Sequence, residues 1–116
     1  GIAASYDTEK SVLTVLKYIA PAEDALYVNS QWGDQEDPFD GDVINSYNDG
    51  PTEDGTIMGP FYEIEASSPA AALAPGESLA HVQYTIHIQG DKDIIAGIVK
   101  DTFGVELDKI TGMFSK

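Results

Sequence analysis

Ala80-His81-Val82-Gln83-Tyr84-Thr85-Ile86-His87-Ile88-Gln89 alternates apolar and polar side chains five times without a break. Successive side chains of a strand point to opposite faces. The run therefore predicts a strand with Ala80, Val82, Tyr84, Ile86 and Ile88 toward a core and His81, Gln83, Thr85, His87 and Gln89 on a polar face. After Gly90 the period lengthens: Ile94, Ile95, Ile98, Val99, Thr102 and Phe103 form one helical stripe, with Asp91 as N-cap and Gly104 as the stop. Leu107, Ile110, Met113 and Phe114 form a second, shorter stripe starting near Asp108. Upstream, Val12 to Ile19 is β-branched and apolar and is closed by Pro21, which predicts a strand buried on both faces. Ala25-Leu26-Tyr27-Val28 is a shorter candidate, and Val43 to Tyr47 reads as a strand end feeding the Asn48-Asp49-Gly50-Pro51 turn. Strands followed by helices predict a mainly β fold, an antiparallel β-sandwich portion with one or two C-terminal α-helices. The expected organisation is a single domain over residues 1–116, with strands about 5–90 and helices about 91–116.

The chain has 116 residues, 20 acids, six bases that are all Lys, two His and no Cys, for a net charge of −14. Without Arg there is no bidentate grip on phosphate, and the charge repels a phosphate backbone, so neither nucleic acid nor an anionic membrane is expected as a partner. Disulfides, thiol catalysis and thiolate metal sites are excluded by the absence of Cys. No apolar run approaches the roughly 20 residues of a membrane span. Gly1 stands where Met is usual, which suggests a processed start and leaves a periplasmic or secreted location open. No Gly-x-Ser-x-Gly elbow, phosphate loop or dinucleotide fingerprint is present, and no cofactor is expected.

Phe61-Tyr62-Glu63-Ile64-Glu65-Ala66 alternates as well, placing Phe61, Glu63 and Glu65 on one face. Two carboxylates on one strand face, roughly 6 to 7 Å apart by strand rise, raise at least one pKa when desolvated, as a general acid or base requires. The same pair on a solvated antiparallel face is also ordinary. His81, Gln83, Thr85, His87 and Gln89 make a polar stripe suited to a polyol, but the histidines are about 20 Å apart along a strand, too far to share one metal. Asp37, Asp40 and Asp42 have a spacing compatible with Ca²⁺ ligands, without the closing bidentate Glu of a full loop. Trp32, Tyr47, Phe61 and Tyr62 flank acids and amides including Asn48, a composition shared by sugar sites and by packed cores.

Asp42-Val43-Ile44-Asn45-Ser46-Tyr47-Asn48-Asp49-Gly50-Pro51, Gly59-Pro60-Phe61-Tyr62-Glu63-Ile64-Glu65-Ala66-Ser67-Ser68-Pro69, Leu73-Ala74-Pro75-Gly76-Glu77-Ser78 and His81 to His87 together resemble the C-terminal part of a Bacteroides-type bacterial domain of unknown function. That domain looks related to the galactose mutarotase (aldose 1-epimerase) β-supersandwich, and the resemblance covers roughly residues 5–107. It implies carbohydrate as the ligand, with Glu65 as the base that takes the anomeric hydroxyl proton. The mutarotase His that serves as acid has no counterpart here, and His87 stands where those proteins have an aromatic. The resemblance thus implies carbohydrate binding around Glu63, Glu65, His87, Gln83, Trp32 and Asn48. It implies epimerase activity only with an upstream half, and exposed sheet edges that self-association into a homo-oligomer, or loops, would cover.

Overall fold

The structure, a computed structural model, describes residues 1–113 apart from 32, 49 and 51. Its elements are β1 (Ile2–Asp7), β2 (Val12–Tyr18), β3 (Ile44–Asn48), β4 (Tyr62–Ala66), β5 (Gln83–Gln89), α1 (Lys92–Phe103) and α2 (Leu107–Gly112). The mainly β reading with C-terminal helices holds: the sheets are antiparallel, one with order β1-β2-β5 and one a β3-β4 ribbon. The chain divides into two compact units, Gly1–Ala3 with Leu16–Tyr84 and Ala4–Val15 with Thr85–Lys116.

In the second unit β1 turns into β2 through a side-chain clamp. Asp7 Oδ1 accepts from the amides of Glu9 and Lys10 at 2.9 and 3.0 Å, and Ser11 takes a left-handed φ of 52°. The Ser11 hydroxyl donates to the Gly90 carbonyl at 2.7 Å while Gly90 N–H donates back to Ser11 O, fastening β5 beside β2. Leu13 and Val15 of β2 pack with Ile95 and Val99 of α1 and Leu107 of α2, and Tyr6, Ile88, Ala96, Ile98 and Phe103 close the margin. Asp91 caps α1 by accepting from Asp93 N–H at 2.8 Å, and Gly104 ends it at φ 71°, as the sequence predicts. Lys92–Asp108 and Lys100–Glu106 ion pairs, both exposed, tie residues of and beside α2 to α1. In solvent such pairs orient more than they stabilise.

β2 is buried along Leu13, Thr14, Val15 and Leu16, as expected of a strand covered on both faces. The expectation for β5 needs correction. It begins at Gln83, and of its apolar row only Ile88 packs on the core; Val82, Tyr84 and Ile86 are 47, 62 and 46% exposed. Alternation reveals which residues share a face, not whether anything lies over it, and β5 is an edge strand. Ile94 likewise sits at the rim of the α1 stripe, 65% exposed. β1 was not anticipated from Ile2. The Ala25–Val28 candidate is no strand but a single parallel bridge, Tyr27 to Asp40, which buries Tyr27.

The first unit holds the ribbon and the acidic segment. That segment is tied down: Asn29 N–H donates to Pro38 O at 2.8 Å, Gly41 N–H donates to Tyr27 O at 3.1 Å, and the Asn29 amide donates to Asp40. A Cβ at Gly41 would lie 2.5 Å from the Val28 carbonyl oxygen, so only glycine permits this approach.

Because Ile95 is fully buried and Ile94 is not, Ile95→Ala should cost about 2–5 kcal/mol through lost burial and a residual cavity. Ile94→Ala should stay within about 0.5 kcal/mol. Urea midpoints of the two variants at unchanged slope are the check.

Candidate functional site

β3 and β4 pair with Asn45 opposite Glu65, Ser46 opposite Ile64 and Tyr47 opposite Glu63. Directly opposed residues share a face, so Asn45, Tyr47, Glu63 and Glu65 stand together, with Phe61 continuing the alternation just before β4. With Ser30 and Met58 they line an open hollow of about 460 Å³. The Asn45 amide donates to Glu65 Oε2 at 3.2 Å, and the rings of Tyr47 and Phe61 lie 6.1 Å apart, tilted by 38°. Glu65 is half-buried whereas Glu63 is exposed. A hydrogen bond with Glu65 and the charge of that neighbour, together with some desolvation, raise the Glu63 carboxyl above its ordinary value. Two adjacent carboxyl groups that bond to each other hold a proton between them longer than either would alone.

A tight turn follows between β3 and β4. Asp54 accepts from Thr56 N–H at 3.0 Å and from the hydroxyls of Thr52 and Thr56. Thr52 N–H donates to Thr56 O, and Gly55 supplies the φ of 80° that the turn requires. These donors, the Thr52 hydroxyl foremost, hold Asp54 at about 2. Its contribution to stability is therefore complete above the ordinary aspartate value and is lost as pH falls through about 2.

A second hollow of about 190 Å³ is lined by Asn29, Ser30, Asp40, Gly41, Asp42, Ile44 and Asn45, and shares Ser30 and Asn45 with the first. Asp40 and Asp42 thus come together, but Asp37 does not line it; its Oδ1 accepts from Phe39 N–H. Among the described residues no three acidic or imidazole side chains are grouped as a metal would need.

Of the residues expected at a binding site, the structure brings Glu63 and Glu65 into one hollow. Asn48 is on β3 opposite Tyr62 and does not line it. Gln83 is exposed at the start of β5. His87 belongs to the second unit, where its Nδ1 and the Thr14 hydroxyl are hydrogen-bonded at 3.0 Å. Trp32 lies outside the described residues. Sequence reasoning missed Ser30, Asn45 and Met58 as lining residues. Asn45 and Tyr47 are two apart on β3 as Glu63 and Glu65 are on β4, and pairing those two rows would have revealed the cluster.

Residues 1–114 match the model of a family of unknown function, DUF6786, and the chain belongs to that family. No curated protein and no solved structure matches it.

The raised Glu63 carboxyl sets a linkage of definite sign. Folding raises its pKa, so the pair's contribution to stability is complete below the unfolded value and declines as pH rises through the folded one. A side-chain carboxyl NMR titration should find Glu63 above the ordinary glutamate value, and falling toward it in Glu65→Gln. An unchanged midpoint in that variant would remove Glu65 as the cause.

Proposed function

We propose that this member of a family of unknown function binds carbohydrate in the hollow on the β3–β4 ribbon. The observation that carries the reading is the convergence of Glu63, Glu65 and Asn45 beside the Tyr47–Phe61 pair. Sugars present apolar C–H faces that stack on aromatic rings and hydroxyls that bond to carboxylates and amides, and this surface supplies both. Among the described residues no Lys lines the hollow, so an uncharged sugar suits it better than a phosphorylated or acidic one, which would meet two carboxyl groups. A volume of about 460 Å³ falls within the range of small-molecule sites and accommodates a mono- or disaccharide. Ser30 and the polar second hollow extend the same surface toward Asp40 and Asp42.

The resemblance of Glu65-Ala66-Ser67-Ser68-Pro69 and Leu73-Ala74-Pro75-Gly76-Glu77 to galactose mutarotases supports the same ligand class, and with it a mutarotase-like fold and a Bacteroides-type origin for the chain. It also supports a second reading, an aldose-1-epimerase-like reaction with Glu65 as base. The specific observation in its favour is that Glu65 shares a hydrogen bond with Glu63, whose carboxyl is raised above its ordinary value. An acid and a base must both reach one substrate, and two adjacent carboxyl groups are a weaker pair than an acid and base on opposite sides of a ring.

Adding neutral mono- and oligosaccharides should shift the NMR resonances of Asn45, Tyr47, Phe61, Glu63 and Glu65 in a saturable way. Tyr47→Ala and Glu65→Gln should each weaken binding about tenfold, or about 1.4 kcal/mol. Silence across a broad sugar panel would overturn the proposal. Polarimetry separates the second reading: faster anomer interconversion with the protein, lost in Glu65→Gln, is its expected result, and equal rates with and without protein exclude it.

A further inference from the structure

The open edge of β5 is self-complementary. Ser78 to Gly90 holds no Asp, Glu, Lys or Arg, the longest uncharged run in a chain of net charge −14. β5 is the end strand of its sheet, and it lacks every device by which edge strands ward off another strand: no charge, no Pro and no Gly interrupts Gln83-Tyr84-Thr85-Ile86-His87-Ile88-Gln89. Tyr84 and Ile86 are 62 and 46% exposed. The strand also reads nearly the same in both directions about Ile86, with Gln at each end, apolar residues at 84 and 88, and hydrogen-bonding residues at 85 and 87.

Backbone direction agrees. Gly90 N–H donates to Ser11 O beside β2. Antiparallel strands alternate the edge to which each residue turns its backbone groups, so Ile86 and Ile88 turn theirs toward β2, and Gln83, Thr85, His87 and Gln89 turn theirs outward. We infer that the open edge of β5 pairs antiparallel with β5 of a second copy about a two-fold axis at Ile86, joining two three-stranded sheets into one of six strands. In that register Ile86 meets the partner's Ile86, Tyr84 meets the partner's Ile88, and Thr85 meets the partner's His87 as a backbone-bonded pair. Every residue then opposes one of its own polarity, as an isologous interface requires. A foreign strand of arbitrary sequence would not share this symmetry, which is why a second copy is the occupant. The strand carries no Asp or Glu that would oppose its own copy across the seam.

The opposing term is the long-range repulsion of two copies carrying −14 each, which salt screens, since the Debye length falls from ~10 Å at 0.1 M to ~3 Å at 1 M. Sedimentation velocity across micromolar to millimolar protein should therefore show a monomer–dimer equilibrium that shifts toward dimer as NaCl is raised. Ile86→Lys opposes two like charges at the axis and should weaken association at least tenfold, as should Ile86→Glu; an equimolar mixture of the two should recover a dimer, because Lys then faces Glu. Thr85→Pro removes an outward N–H without touching the inner ladder and should also give monomer. Circular dichroism spectra matching the parent verify that the variants fold. A monomer at every concentration and salt overturns the inference, as does a dimer or filament indifferent to Ile86→Lys, or a Lys and Glu mixture that stays monomeric.

Discussion

The burial of β2 is the constraint on which the rest of the structure depends. Leu13, Thr14, Val15 and Leu16 are consecutive, so both faces of the strand are shut off from water. A strand so enclosed must have backbone partners on both sides, since an unpaired buried peptide group costs more than a hydrogen bond returns. β1 and β5 provide them. The Asp7 clamp and the left-handed Ser11 turn β1 back onto β2, and the Ser11–Gly90 exchange fastens β5 to its other side. β2 passes from one compact unit into the other between Val15 and Leu16, so this buried stretch is covalently common to both.

Local chemistry was legible where one residue type admits few conformations. Asp91 and Gly104 marked the ends of α1 because an N-cap oxygen and a residue free to take positive φ are hard to replace. The apolar run at Val12 marked a buried strand for the same reason. The face shared by Phe61, Glu63 and Glu65 was legible from alternation alone. Three things were not. The exposure of Tyr84 and Ile86 depends on how far α1 and α2 extend over the sheet, which periodicity does not encode. Asn45 and Ser30 join the hollow through strand pairing and through the Tyr27–Asp40 bridge, both fixed by distant residues. His87 shares a polar stripe in sequence, yet its ring is engaged with Thr14, a partner 73 residues away.

The placement of charge ties the candidate site to the rest of the molecule. Lys92 and Lys100 are matched with Asp108 and Glu106 in the helical unit, while among the described residues no Lys lines either hollow of the other unit. No ammonium offsets the acids there, and the Glu63 carboxyl is raised by its hydrogen bond with Glu65, by desolvation and by the charge of that neighbour. The proposal of an uncharged sugar rests on this charge distribution together with the Tyr47–Phe61 pair.

Gly41 passes the Val28 carbonyl with no room for even a methyl group. Separation at that crossing is consequently dictated by main chain against main chain, independent of how neighbouring side chains are sized. Gly41 also lines the recess that holds Ser30 and Asn45, so one wall of it is placed by that main-chain contact. Substitution at Asp40 or Asp42, which line the same recess, would alter its polarity while leaving that main-chain crossing as it is.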